Sequence, residues 1–215
     1  MKPFSNNQLE RYPIYLKLFK DLEAKGEVIV SSPYIAEKLG FSEELVRKDL
    51  QAVCTIYGRP RRGRNIADTI EDIEKFLGYS KPEPAILVGA GNLGGALLRF
   101  PGFTEAGLNI EAAFDSSYEL AGRQIAGKNV YGMALLPHYV RDRGIKVAVL
   151  TVPAEAAQGV ADLLMTNGIE AIWNFAPTSL EVGPEVILVN SNLASSLAVL
   201  SHRLREKREK LCIFR

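Results

Sequence analysis

This 215-residue sequence predicts an α/β fold: a Rossmann domain with a parallel sheet, preceded by a winged-helix domain and ending in a long C-terminal helix. Three observations carry that prediction. The apolar run Ala85 to Val88 opens directly into a glycine turn, G-x-G-x-x-G at Gly89, Gly91 and Gly94. Beyond it, apolar runs alternate with helix-period segments, the pattern of a parallel sheet wrapped by helices. Ahead of it, two short capped helices meet at Gly40 and a basic loop follows, the layout of a helix-turn-helix with a wing. The proline-rich stretch Gly78 to Pro84 separates the two patterns. The expected division is 1–79 for the winged helix, 80–190 for the dinucleotide-binding domain and 191–215 for the terminal helix and tail.

The bulk composition is that of an ordinary soluble protein, with 47% hydrophobic and 24% charged residues. A formal net charge of +1 argues neither for nor against nucleic acid, but its distribution is uneven. Between Val46 and Ile66 six basic residues face one acid, Asp49. The two cysteines, Cys54 and Cys212, are far apart and form neither a disulfide framework nor a metal-ligand spacing. The opening residues are polar, without the apolar core of a signal peptide, and no apolar run suffices to cross a bilayer. A cytoplasmic protein without a metal site and without a membrane partner is expected.

In the first domain, residues 9 to 24 show helix spacing, with Leu9, Leu16, Phe19 and Leu22 on one side. The regular helix is expected to start near Pro13 and to stop at Gly26. Val28 to Val30 reads as a short strand. Ser32 followed by Pro33 is a helix-start signal, a hydroxyl cap before a proline. Ser42 caps the next helix, whose first turn holds Glu43 and Glu44, where acids suit the dipole. Arg47, Lys48 and Gln51 fall off its apolar face, as side chains able to meet phosphates and base edges. Arg59, Arg61, Arg62 and Arg64 sit in a loop too rich in glycine, proline and charge to be core. Together with Ser32 and Ser42 they make the candidate interface for double-stranded DNA. A solvated basic loop beside a packed helix pair is the alternative. A helix is expected to start at Asp68.

In the second domain each glycine has a role in holding a dinucleotide. Gly89 permits the tight turn, Gly91 lets a pyrophosphate approach the backbone, and Gly94 lets the helix lie close to the strand. Ala90, Asn92 and Leu93 complete the turn. The second strand ends in Asp115, about 20 residues on, where a carboxylate can bind ribose hydroxyls. The first helix is expected to run to about Phe100. Further strands are expected at Asn129 to Tyr131, Lys146 to Val152, Ala171 to Trp173 and Val186 to Val189, with helices at Ala134 to Arg143 and Glu155 to Asn167. The helix from Leu193 to Cys212 carries an apolar edge, suited to packing on another subunit.

A dehydrogenase would need a proton donor beside the nicotinamide. His138 and His202 do not follow strands at the carboxyl edge of the sheet, where ligands bind. The residues that do follow them, Thr151 to Pro153 and Asn174 to Pro177, can shape a pocket but transfer protons poorly. A small NAD-dependent oxidoreductase is therefore the weaker alternative, and no catalytic residue is assigned.

Several segments resemble one family: Val46-Arg47-Lys48-Asp49-Leu50, Arg62-Gly63, Val88 to Gly94, Pro101-Gly102-Phe103, Ala113-Phe114-Asp115, Leu150 to Gln158 and Asn174-Phe175-Ala176-Pro177. In this order they resemble the Rex family, bacterial repressors that sense the NADH/NAD balance. The resemblance implies a homodimer whose last helix is exchanged between subunits. It implies that NADH closes the dimer and pulls it from a palindromic operator, whereas NAD is compatible with DNA. By the same resemblance, Thr151, Val152, Pro153 and the turn Asn174, Phe175, Ala176, Pro177 surround the nicotinamide, and Asp115 favours NAD over its 2′-phosphorylated form. The sequence departs from several members at Lys17, Phe100 and Asn192, where an arginine, a tyrosine and an aspartate form a charged network. Lysine cannot reproduce arginine's two-pronged pairing, so a weakened or rewired response to NADH is expected.

Overall fold

The computed structural model describes residues 4–55, 63–191 and 193–213. The chain divides into two compact units, Met1–Pro82 and Glu83–Arg215.

The first unit contains α1 (Asn6–Leu9), α2 (Arg11–Glu23), β1 (Ile29–Val30), α3 (Ser32–Leu39), α4 (Glu43–Val53), β2 (Arg64–Asn65) and α5 (Ile66–Leu77). As expected, α2 starts near Pro13, which lies in its first turn, where a backbone N–H has no intrahelical partner to lose. Tyr12, Tyr15, Leu16, Phe19 and Leu22 form the buried stripe of α2, whereas Leu9, on the separate α1, is 38% exposed. That stripe joins Ile35, Val46, Leu50, Ile66, Ile70 and Ile73 in one apolar core.

Two start signals shift relative to the sequence reading. Ser31, not Ser32, caps α3: its Oγ accepts from the Tyr34 amide at 3.4 Å, which makes Ser32 the first helical residue. Asn65, not Asp68, caps α5, accepting from the Asp68 amide at 3.1 Å. The short strand at Ile29 finds an antiparallel partner in β2, with Val30 opposite Arg64.

The second unit contains β3 (Glu83–Val88), α6 (Asn92–Leu98), α7 (Gly102–Glu105), β4 (Leu108–Asp115), β5 (Gln124–Ile125), β6 (Lys128–Gly132), a 3-10 turn (Met133–Leu135), α8 (Leu136–Arg143), β7 (Val147–Leu150), α9 (Ala154–Thr166), β8 (Ala171–Asn174), β9 (Ile187–Asn190) and α10 (Leu193–Ile213). The helix expected to reach Phe100 ends at Leu98, and Pro101 caps the separate α7.

The sheet runs β5-β6-β4-β3-β7-β8-β9. The two-residue β5 pairs antiparallel with β6, and the other neighbours pair parallel. Strand side chains alternate between faces. Ile86, Val88, Ala112, Phe114, Ala148 and Leu150 pack with Leu136 and Val140 of α8 and Ala157, Ala161 and Leu164 of α9. Ala85, Leu87, Ala113 and Val149 pack on the opposite face with Leu98 of α6 and Phe103 of α7. Ile187 and Val189 on the edge strand are 66% and 53% exposed, and Leu197, Leu200 and Leu204 of α10 are 62%, 64% and 47% exposed. Among the described residues, no helix is long and apolar enough to cross a membrane.

Candidate functional site

The order of strands reverses at β3, whose neighbours β4 and β7 lie on opposite sides. In open α/β sheets the crevice at such a reversal receives the ligand, and here the chain leaves β3 through the glycine turn. Gly89 takes φ +98°, and a Cβ there would lie 2.7 Å from the Thr151 carbonyl oxygen. At Gly94 a Cβ would collide with the Gly89 carbonyl and lie 2.9 Å from Thr151 Oγ1. The protein's own packing therefore requires both glycines. Gly91 differs: its φ is −64°, open to any residue, and a Cβ would meet no protein atom within 4 Å. Neither backbone nor packing demands glycine there, whereas close approach of a pyrophosphate does. No side chain caps α6, which starts directly after Gly91.

Two side chains brace the turn. Thr151, at the end of β7, donates from Oγ1 to the Gly89 carbonyl at 2.6 Å, while its own amide donates to the Val88 carbonyl at 2.9 Å. Asp115, at the end of β4, accepts from the Ala90 amide at 2.7 Å and from the Ser117 amide at 2.8 Å, one on each carboxylate oxygen. Each oxygen keeps a further lone pair for a ribose hydroxyl. Asn92 and Leu93 are exposed on the first turn of α6.

Beyond β8, Asn174 is 1% exposed. Its Oδ1 accepts from the Ala176 amide at 2.9 Å, and its Nδ2 donates to the Thr178 carbonyl and to Asn190 Oδ1, each at 2.9 Å. Asn174 thus shapes the turn while Phe175 and Pro177 present its surface. Val152 is half-buried and Pro153 exposed at the start of α9. Trp173 is half-buried against Phe103 and Phe175, with ring centroids 5.5 and 4.8 Å away.

In the first unit, Gly40 ends α3 in the left-handed conformation with φ +68°, and Ser42 caps α4 by accepting from the Leu45 amide at 3.3 Å. Val46 and Leu50 of α4 are fully buried. On its outer side, the Arg47 and Lys48 side chains are 62% and 71% exposed, and Gln51 is exposed.

Sequence reasoning missed a buried charge on the same helix. Asp49 is 2% exposed and receives a two-pronged pair from Arg11, Nε to Oδ2 at 2.6 Å and Nη2 to Oδ1 at 2.9 Å. The Tyr15 hydroxyl donates to the same carboxylate at 3.0 Å, and the Tyr12 hydroxyl donates to the Asp49 backbone carbonyl at 3.0 Å. Burial, then the Asp49 charge, pushes the Tyr15 hydroxyl well above its ordinary range. The signal was present in the spacing, because Asp49 falls with Val46, Leu50 and Val53 on one face of a helix.

Arg64 also departs from expectation. It is 8% exposed in β2, so it is built into the strand pair rather than displayed on a wing. Arg59, Arg61 and Arg62 lie outside the described residues, as does Asn192. Lys17 is exposed on α2, and Phe100 is 56% exposed with its ring 5.1 Å from Phe103. The imidazoles of His138 and His202 are 76% and 72% exposed on helices, each 3.1 and 3.6 Å from an acid one turn on. Among the described residues, no group of acids, histidines and cysteines could hold a metal ion.

These features define a two-part class: a helix-turn-helix unit followed by a Rossmann unit with a dinucleotide-type turn. Family models divide the chain in the same sense, one described as a putative DNA-binding protein N-terminus over residues 5–51 and one as a CoA binding domain over residues 80–178. The protein named redox-sensing transcriptional repressor Rex from Pelotomaculum thermopropionicum is 38% identical over 199 residues, covering 93% of each chain. RSP, solved with beta-NAD+ and operator DNA, superposes with a TM-score of 0.90 at 32% identity, covering 98% of each chain. RSP solved with beta-NADH gives 0.86 at 32% identity, covering 98% of this chain and all 100% of that one. The chain belongs to the Rex family.

Proposed function

We propose that this protein is a transcriptional repressor that binds operator DNA and is released when NADH occupies its Rossmann unit. The observation that carries the reading is Gly91, a glycine at an uncapped helix start where a Cβ would meet no protein atom within 4 Å and would face an approaching pyrophosphate. The relatives' names and the two RSP complexes supply the direction of the response. NADH and NAD share the turn from Gly89 to Gly94, with Asp115 on the adenosine ribose and Thr151, Val152, Pro153 and Asn174 to Pro177 around the nicotinamide. Asp115 also speaks against coenzyme A, whose ribose carries a phosphate that a carboxylate repels. The DNA contacts are Ser42, Arg47, Lys48 and Gln51, with Ser32 beside them and Arg59, Arg61 and Arg62 on the wing. The protein acts in the cytoplasm as a homodimer on a two-fold operator, its exposed α10 and β9 residues covered by the second copy. The relatives' repressor names displace the oxidoreductase alternative.

One experiment tests both halves. The protein is mixed with a duplex from the control region of its own gene, and band shift is followed with NADH, NAD or coenzyme A. The expected result is a shift at low salt that NADH reverses and NAD and coenzyme A leave in place. Absence of a shift on any two-fold duplex sinks the reading. Because Lys17 and Phe100 replace an arginine and a tyrosine of the family's network, release is expected to be incomplete at micromolar NADH, and complete release there overturns that weakening.

A further inference from the structure

We infer that Glu43 and Glu44 are specificity-determining residues that hold down sequence-independent DNA binding by occupying the two cations of α4. The inference rests on the reading of α4 as the DNA-contacting helix. Arg47 Nη2 lies 2.9 Å from Glu43 Oε1, and Lys48 Nζ lies 2.8 Å from Glu44 Oε1, each pair one helical turn apart. The hydrogen bond from Lys48 holds the Glu44 carboxyl below its ordinary range, and the lysine is raised in return. Each exposed cation on this part of the helix therefore already has a carboxylate, set N-terminal to it in the favoured orientation.

The position of these acids is what gives them a consequence. In a helix-turn-helix the N-terminal residues of the recognition helix enter the major groove, so Glu43 and Glu44 travel into the field of the phosphates together with Arg47 and Lys48. Binding to arbitrary sequence is almost wholly electrostatic, and there the two acids act in full: they compete with phosphate for the cations and are repelled by the backbone. On a matched site the cations are held by base edges as well, and a glutamate can accept from a cytosine amino group, which offsets part of the repulsion. The acids thus weaken random binding more than matched binding.

The test compares Glu43→Gln, Glu44→Gln and the double variant with the unaltered full-length protein. The probes are a random-sequence duplex and an equally long duplex bearing the site that the unaltered protein enriches from a random pool. For the double variant, binding to the random duplex is expected to tighten about three- to tenfold, with the slope of log K against log salt steeper by up to about 2. Binding to the enriched site is expected to tighten less, so the ratio of the two falls. Unchanged random binding and slope, or an equal gain on both duplexes, overturns the inference. Arg47→Ala and Lys48→Ala separate the two levels of argument. If they leave DNA affinity untouched, the reading of α4 itself fails; if they weaken it while the glutamine variants do nothing, only the role of the acids fails. Unchanged thermal unfolding of the glutamine variants assigns any change to charge.

Discussion

In the Rossmann unit the candidate site is made of backbone. Its decisive atoms are the Gly89 carbonyl, the Ala90 amide and the missing side chain at Gly91, held by Thr151 and Asp115 at 2.6 and 2.7 Å. In the winged-helix unit the candidate site is made of long side chains on an exposed helix face, and the precision lies behind them, in the Arg11–Asp49 pair. The first kind of site tolerates almost no substitution at its surface. The second tolerates change at the surface and little at its anchor. Breaking each unit at its stiffest point puts that contrast to the test.

The largest effect is expected at the anchor. Asp49→Ala takes the shared acceptor from the partly exposed Arg11 guanidinium and the buried Tyr15 hydroxyl, a loss of about 3 kcal/mol. Chemical denaturation followed by circular dichroism should show the first unit unfolding early while NADH binding survives. A variant of unaltered stability would mean that the pair contributes nothing. Next come two glycines of the turn, which should separate cleanly. Gly94→Ala drives a Cβ into the Gly89 carbonyl and should destabilise the second unit by about 1–3 kcal/mol as well as abolish NADH binding. Gly91→Ala should melt like the unaltered protein yet lose about ten- to a hundredfold in NADH affinity, the same steric cost now falling on the ligand. Quenching of Trp173, the single tryptophan, reads both. If Gly91→Ala bound NADH normally, the turn would be structural only.

The smallest effect appears only in alkali. Burial raises the Cys54 thiol from 9.0 to about 11 and the Tyr12 hydroxyl from 10.0 to about 12. The folded first unit keeps protons that the unfolded chain releases. Stability from these groups is therefore full below about pH 9 and is lost as pH rises through about 11 to 12. Urea midpoints at neutral pH and near pH 11 should differ, and Cys54→Ala should reduce the difference. An equal drop in both proteins would remove the thiol from the account.

The same contrast explains what could be read from the sequence. The turn at Gly89, Gly91 and Gly94 and the strand end at Asp115 are legible because their placement follows from backbone sterics and a fixed spacing. The bond from Thr151 to Gly89 is not, because it joins residues 62 apart through a sheet register that local pattern does not reveal. The sequence places the cap of α3 one residue late, at Ser32 rather than Ser31, because two serines precede Pro33. The strand β2 is too short to carry an alternation, so Arg64 looked like a wing cation rather than a strand residue. In the sequence Asp49 stands as the one acid in a basic stretch, although its spacing with Val46 and Leu50 marks the inner face.

The inward turn of Asp49 has a consequence for how this chain can change over generations. Arg47, Lys48 and Gln51 lie outside the network that fixes α4, so the residues proposed to face DNA can be exchanged without disturbing the fold or the nucleotide turn. A lineage can thus acquire new target sequences by surface substitutions alone while inheriting its metabolic input intact, because Asp49 divides the part of the helix that is free to vary from the part that is not.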